Sequence, residues 1–471
     1  MRWTPALAVL LLLAPAVARP QSTFLTGAVV YDGTGGAPLE NAVIQVEGGR
    51  IVCIGGPDAC PAPAGSETVD LAGKFVTPGL VDAHVHYAQT GWLDGRPDSR
   101  IGTDRYDYGT LQASIRANPD RWHRAYLCSG VTAVFDPGGP PWTVELEAAA
   151  EDHPERPRVR AAGPLVTHFE PIFSILDALG GTFIPMRSDE EAAASVERLA
   201  EMGARAVKVW YIDPPEGQGE ALDARLERIG REARERGLPL VVHATELRNA
   251  KVALRAGAAM LVHSVDDAPV DEEFIRLALE SGAVYAPTLI VARNWRRAIA
   301  SVALGVTHPI DDPNGCVDAE TRRVIGDAPA LQATLPPERR DPAVVFGMLE
   351  ATGRAAAVMA DNLRRVHEAG IPIVAATDAG NPLTVHGPSI YPEMEAMERA
   401  GIPAAEVLVM ATRNGASMMG RLGDFGTLEA GKLADLVVLT EDPGASTTAF
   451  RSITHVMRGG VLHEIARFAS R

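Results

Sequence analysis

The chain has 471 residues, more than one ordinary domain needs but within the reach of a barrel carrying an appendage. Its apolar fraction of 46% allows a large core. A net charge of -16 argues against nucleic acid and anionic membranes as partners and favours solubility.

Residues 1–18 read as an export signal. Arg2 supplies a small positive charge, Ala6–Ala14 an apolar run too short to span a bilayer, and Ala16-Val17-Ala18 a cleavage site. The short run disfavours an uncleaved anchor, so the mature chain is expected to begin near Arg19, in the periplasm or outside the cell. No later stretch is expected to form a membrane span. Export permits disulfides. Cys53 and Cys60, across a Gly-Gly-Pro-Asp turn, suit a local bridge, whereas Cys128 and Cys316 read as buried free thiols.

Residues 19–75 contain short strands, Gly27–Tyr31 and Ala42–Glu47 among them, separated by Asp32-Gly33, Gly35-Gly36 and Gly48-Gly49 turns. Residues 424–471 behave the same way, with Ala434–Leu439 and Ile453–Met457. A small β-sandwich domain built from both ends of the chain is expected. Between them, residues 76–423 alternate apolar strands with helix-like segments. The strands are Leu80–His86, Thr132–Asp136, Val159–Ala162, Ala206–Trp210, Leu240–His243, Met260–His263, Val284–Pro287 and Ile373–Asp378. The clearest helices are Asp189–Met202, Leu222–Arg236 and Ala357–Ala369. Such alternation means a parallel sheet covered by helices, and these units suggest a closed (β/α)8 barrel of the α/β class.

In such a barrel, chemistry gathers where the strands end. The first strand, opened by Pro78-Gly79, ends in His84 and His86. Two apart on a strand, they share a face and can hold one metal ion. Alone, the pair would be two polar residues at a strand exit. But the fourth strand carries Lys208, the fifth ends in His243, the sixth in His263 and the eighth in Asp378. Lysine is scarce here: Lys74, Lys208, Lys251 and Lys432 are the whole set. An unpaired ammonium in an apolar strand is costly. It can snorkel outward, pair with an acid, or react with carbon dioxide to give a carbamate, an oxygen ligand able to bridge two cations. With four histidines and an aspartate aimed at one mouth, the carbamate fits best. Asp82 shares the face of His84 and His86, either orienting a ligand or forming a deeper polar layer.

The run Pro-Gly-Leu-Val-Asp-Ala-His-Val-His, followed in order by the strand-end Lys, His, His and Asp, resembles the amidohydrolase superfamily. Its nearest look is to the imidazolonepropionase-like and Xaa-Pro-dipeptidase-like members, over nearly all of the mature chain. The resemblance implies one divalent metal on His84, His86 and Asp378, a second on His243 and His263, and carboxylated Lys208 and a hydroxide between them. Imidazole and carboxylate suit Zn²⁺, with Mn²⁺, Fe²⁺ or Ni²⁺ compatible. The implied activity is hydrolysis of a C–N bond in a dipeptide-like or N-acyl small molecule. Asp378 would be catalytic, carrying a proton from water to the leaving nitrogen. A one-metal deaminase or cyclic-amide hydrolase, a lactonase or phosphotriesterase on the same site, and an inert barrel that only binds are the alternatives. Homo-oligomerisation stays open.

Specificity is expected in the loops Ala88–Arg121, Gly163–Met186 (His168, Phe169, Glu170, Phe173, Phe183) and Asn294–Pro342 (Arg296, Arg297). Tyr211, Glu246 and His386 are further pocket candidates. His123, His153, His308, His367, His455 and His463 lie off the strand ends and read as structural or surface residues.

Overall fold

Strands from the two ends of the chain hydrogen-bond into one sheet. The computed structural model describes residues 22–96, 101, 105–169 and 181–470. The leader expected at residues 1–18, the start near Arg19, and Glu170 and Phe173 lie outside these. The sheet runs in the order Val461–Glu464, Ile453–Arg458, Leu436–Leu439, Phe75–Pro78, Thr23–Val30, Leu39–Glu47, Arg50–Gly55, with Glu67–Asp70 also on Thr23–Val30. Its seam is Phe75–Pro78, antiparallel to Leu436–Leu439 and parallel to Thr23–Val30. Phe75–Pro78 leads straight into Leu80–Asp82, so this sheet abuts the central domain at the strand that carries the histidine pair.

The central strands are parallel. Leu80–Asp82, Val131–Asp136 and Arg158–Ala161 form one group. Phe183–Pro185, Leu165–Thr167, Val207–Trp210, Leu240–His243, Met260–Val262 and Val284–Ala286 form the other, in that order. The fold is a TIM-barrel-like α/β arrangement. Alternate residues divide between two cores, as the strand period of two requires. Val81, Ala83, Ala133, Phe135, Ala206, Val241, Met260 and Val262 pack together on one face. Leu80, Val134, Val207, Val209, Leu240, Val242 and Leu261 join the core shared with the covering helices.

Local signals fix the helix ends. Helix Asp189–Met202 starts where the Ser188 hydroxyl accepts from the Glu191 amide, has acids through its first turn, and stops at Gly203, whose φ of 79° suits glycine. The expected helix 222–236 is Gly219–Glu235, and the expected 357–369 is the end of a longer helix, Pro342–Glu368.

Four expectations are corrected. The stretch 294–342 is largely helical, with Val291–Leu304, Ala319–Gly326 and Ala328–Leu331. The eighth strand is not a ladder: Ile373 bridges Tyr285 and Ala379 bridges Val85, because the chain between turns through Asp378 at a φ of 61°. Helix Pro342–Glu368, at 27 residues, is long and apolar enough to cross a membrane by length and composition, although no such stretch was expected. It packs against helix Val291–Leu304. Cys128 and Cys316 are not free thiols but bonded to each other, with Cα atoms 5.5 Å apart across a sequence separation of 188. The fold brings the end of helix Asp120–Cys128 against a distant loop, which sequence spacing could not show. Cys53 and Cys60 form the expected local bridge.

Candidate metal centre

His84, His86, Lys208, His243, His263 and Asp378 all line one cavity of about 460 Å³. Three of their atoms converge closely. Asp378 Oδ1 lies 3.0 Å from His86 Nε2 and 3.4 Å from His84 Nε2, and the two imidazole nitrogens are 3.1 Å apart. Asp378 Oδ2 is 3.9 Å from His263 Nδ1. The His243 and His263 rings meet edge-on at 4.5 Å. His84, His263 and Asp378 each offer a ligand atom within 4.8 Å of the others.

The imidazoles are oriented from behind. His86 Nδ1 donates to the Gly138 carbonyl at 2.6 Å, which fixes the tautomer and leaves the Nε2 lone pair facing Asp378. His263 Nδ1 shares a hydrogen bond of 2.7 Å with the Thr288 hydroxyl. Asp136, fully buried, accepts from the Tyr87 and Gly138 amides at 3.0 Å each, and so ties the segment after His86 to the turn whose carbonyl His86 meets. His263, Thr288 and Asp378 have φ of 76°, 44° and 61°, a costly region for such residues.

Burial lowers the basicity of His84 and His243 far below the usual imidazole range, and that of His263 to about 4. All three are neutral with a lone pair available, the state a metal ligand needs. Burial pushes the Asp378 carboxyl up, but the charge of any proton carried by the His84, His86 or His263 ring, together with the hydrogen bond from His86, outweighs it and holds the carboxyl well below the carboxylate range. Burial brings Lys208 down to about 7 against the opposing pull of Asp378. Its Nζ is buried without a hydrogen-bond partner among the described residues. The donor set thus fits divalent cations: neutral imidazoles, an ionised carboxylate, and an amine with nothing to satisfy it.

Residues 75–462 match the amidohydrolase family profile. The chain belongs to the amidohydrolase family. It is therefore a hydrolase of carbon–nitrogen bonds, in a family whose members use divalent metals. This amidohydrolase is 26% identical over 437 residues to an imidazolonepropionase of Mesorhizobium japonicum, covering 87% of this chain and 89% of that one. In fold it is similar to a Xaa-Pro dipeptidase crystallised with methionine in its active site, with a TM-score of 0.69 at 21% identity over 94% of this chain and 100% of the other. It is also similar to the ochratoxinase of A. niger, with a TM-score of 0.66 at 21% identity, covering 95% and 96% of the two chains.

The candidates around this cluster divide. Phe183 and Arg296 line the cavity, but Arg297 lies on another side of its helix. Tyr211, Glu246 and His386 do not line the cavity. The Tyr211 hydroxyl donates to Asp223, and Glu246 accepts from Thr245 and Asn249. His386 accepts from Tyr126 at 2.6 Å, donates to the Gln89 carbonyl at 2.8 Å and stacks on Trp122. His168 stands against Tyr211, also outside the lining. Arg96, Trp210 and Trp295 line the cavity without having been singled out: nothing local marks Arg96 or Trp295 as facing a mouth, whereas Trp210, two past Lys208 on one strand and so on its face, was within reach of the strand period.

Asp82 sits beneath the cluster. Its Oδ1 accepts from the Thr377 amide at 3.0 Å and the His84 amide at 3.3 Å, and its Oδ2 accepts from the Thr377 hydroxyl at 2.6 Å. One carboxylate therefore ties the segments bearing His84 and Asp378 together. Asp82→Ala is expected to strand these buried donors, lowering unfolding free energy by about 2–4 kcal/mol and weakening metal retention roughly tenfold or more. Asp82→Asn, which keeps Oδ1, should cost less. Urea unfolding and chelator competition on both variants check this.

Proposed function

We propose that this amidohydrolase is an exported two-metal enzyme that cleaves an amide or dipeptide-like bond in a small molecule bearing a carboxylate and a bulky apolar group. The observation that carries the reading is the gathering of six ligand-type side chains around one cavity, with the Lys208 amine buried and unpartnered. His84, His86 and Asp378 would hold one divalent cation, His243 and His263 the other, and a carbamate on Lys208 would lie between; Zn²⁺ suits this donor set. Lys208 gains its carbamate when the free amine attacks carbon dioxide and gives up a proton. When bound, the cations supply ionised water at neutral pH and polarise the substrate carbonyl. A closed barrel and a sandwich-like terminal domain belong to the same reading, as does export by residues 1–18.

Above the cluster the cavity wall is aromatic and aliphatic: Tyr108, Leu165, Phe183, Trp210, Trp295 and Ile299. Such a wall excludes water and takes an apolar side chain. Arg296 also lines it, as does Arg96. The Arg96 guanidinium donates to Asn381 Oδ1 at 2.6 Å and Gln89 Oε1 at 3.0 Å, and lies 5.2 Å from the Trp295 ring centre. A guanidinium so fixed can receive a substrate carboxylate with little loss of entropy. Arg96→Met is expected to raise KM for carboxylate-bearing substrates roughly 10- to 100-fold and leave their esters nearly unaffected.

The test is a panel of N-acyl amino acids and dipeptides incubated with metal-loaded protein, with products identified by mass. Release of an amine and an acid, with close to two equivalents of metal, supports the reading. One equivalent at full activity favours the one-metal alternative. A fully loaded chain inert across the amide and ester panel would leave only a binding role.

A further inference from the structure

Glu393 is a buried acid, pushed up to about 8 by its burial, that the chemistry above does not use. It lies on helix Ile390–Arg399, is fully buried, and does not line the cavity. Both of its oxygens accept from backbone amides: Oε1 from Leu289 at 2.8 Å and Oε2 from Ile290 at 3.1 Å. These residues lead into helix Val291–Leu304, whose first amides have no carbonyl partner within the helix. Taken alone, Glu393 would be a helix cap lent by a neighbouring helix.

What precedes the capped amides gives the contact a second consequence. Thr288 is next in the chain, and its φ of 44° is unfavourable for a β-branched residue. It persists only where its surroundings hold it. Its hydroxyl meets His263 Nδ1 at 2.7 Å, which leaves Nε2 as the ring nitrogen available to a cation. His263 is itself in the left-handed region, at a φ of 76°, so neither partner finds this geometry unaided.

We propose that Glu393 is a positioning residue for His263: by gripping the Leu289 and Ile290 amides it holds Thr288 where the hydroxyl aims the imidazole, and so governs how tightly the cation on the His243–His263 side is kept. This rests on the two-metal reading of the cavity. A glutamine cannot replace the acid fully, since its amide nitrogen would meet one of the two N–H donors head-on.

The experiment uses full-length protein loaded with Co²⁺, whose visible spectrum reports ligand geometry. Glu393→Gln, Thr288→Val and the double variant are compared with the parent. Both single variants are expected to alter the spectrum and to lose one equivalent of Co²⁺ to a chelator roughly tenfold faster. Acting through the same imidazole, the two changes should not add in the double variant. A Glu393→Gln protein with a lowered melting temperature but an unchanged spectrum and release rate would make the carboxylate a cap and nothing more. Additive effects in the double variant would place its action elsewhere. A parent that binds no Co²⁺ would instead overturn the metal reading itself. Should Glu393→Gln not fold, an unchanged spectrum and release rate in Thr288→Val would still break the chain of contacts.

Discussion

Lys208→Ala is expected to leave the metal-free protein as stable as its parent or more so, and to remove most of the activity. The two halves of this result have opposite signs, which is what makes the variant informative. In the metal-free chain the Lys208 amine is buried with no hydrogen-bond partner among the described residues, so it costs stability there. Removing it relieves that cost, against a cavity of a few methylenes. In the loaded enzyme the same side chain would supply an oxygen ligand to both cations, and its loss should halve the metal content or worse. Losing one cation removes several kcal/mol of charge stabilisation, on the order of 10³-fold in turnover. A short carboxylic acid, diffusing into the space left by the side chain, should restore part of the activity. The pH dependence has a definite sign. Burial lowers the amine to about 7, so the uncharged form that attacks carbon dioxide predominates above that value. At a fixed concentration of dissolved carbon dioxide, reactivation of metal-free protein by metal should therefore speed up as pH rises through about 7 and level off above it. A Lys208→Ala protein that keeps its metal and its rate would remove the lysine from the mechanism.

The parts of this site legible in the sequence were those where a polar residue interrupts an apolar strand. Lys208 and His243 do so within their strands and His84, His86 and His263 just past the ends of theirs, and a parallel strand packed on both faces has no bland use for such a residue. Their gathering around one cavity follows from strand geometry alone. Asp378 is a different case. It was placed at the end of a strand, but it sits in a segment that makes isolated bridges rather than a ladder, where the chain turns to aim its carboxylate. What stayed hidden was second contacts. Asp136 ends a predicted strand, yet nothing in its neighbours says that its oxygens will grip the Tyr87 and Gly138 amides. Glu393 belongs to a helix beyond the last strand, and its reach to Leu289 is a product of packing. The bond between Cys128 and Cys316 was missed for a related reason. Spacing along the chain carries no information about which distant segments the fold lays side by side.

Asp378→Asn is expected to keep the fold and at least one cation while lowering kcat by roughly 10²- to 10⁴-fold, with a smaller change in KM. The substitution preserves shape. The backbone ties that hold this residue, its amide to the His84 carbonyl at 2.8 Å and its carbonyl to the Asn381 side chain at 3.0 Å, survive unchanged. One side-chain oxygen survives too, beside His84 and His86. What disappears is the ability to take up a proton. The native carboxylate is held ionised by the hydrogen bond from His86 and by attraction to any proton on the rings around it, so it begins each cycle able to take up a proton despite its burial. It would accept the proton of the attacking water and deliver it to the departing nitrogen, which is too basic to leave as an anion. That second duty gives the variant a signature beyond slowness. Among substrates of similar shape, those with weakly basic leaving amines need little protonation, so the gap between parent and variant should narrow steadily from alkyl amides to anilides carrying electron-withdrawing groups. A penalty independent of the leaving group would confine Asp378 to handling the water. A loss of rate that simply tracked a loss of both cations would reduce it to a ligand.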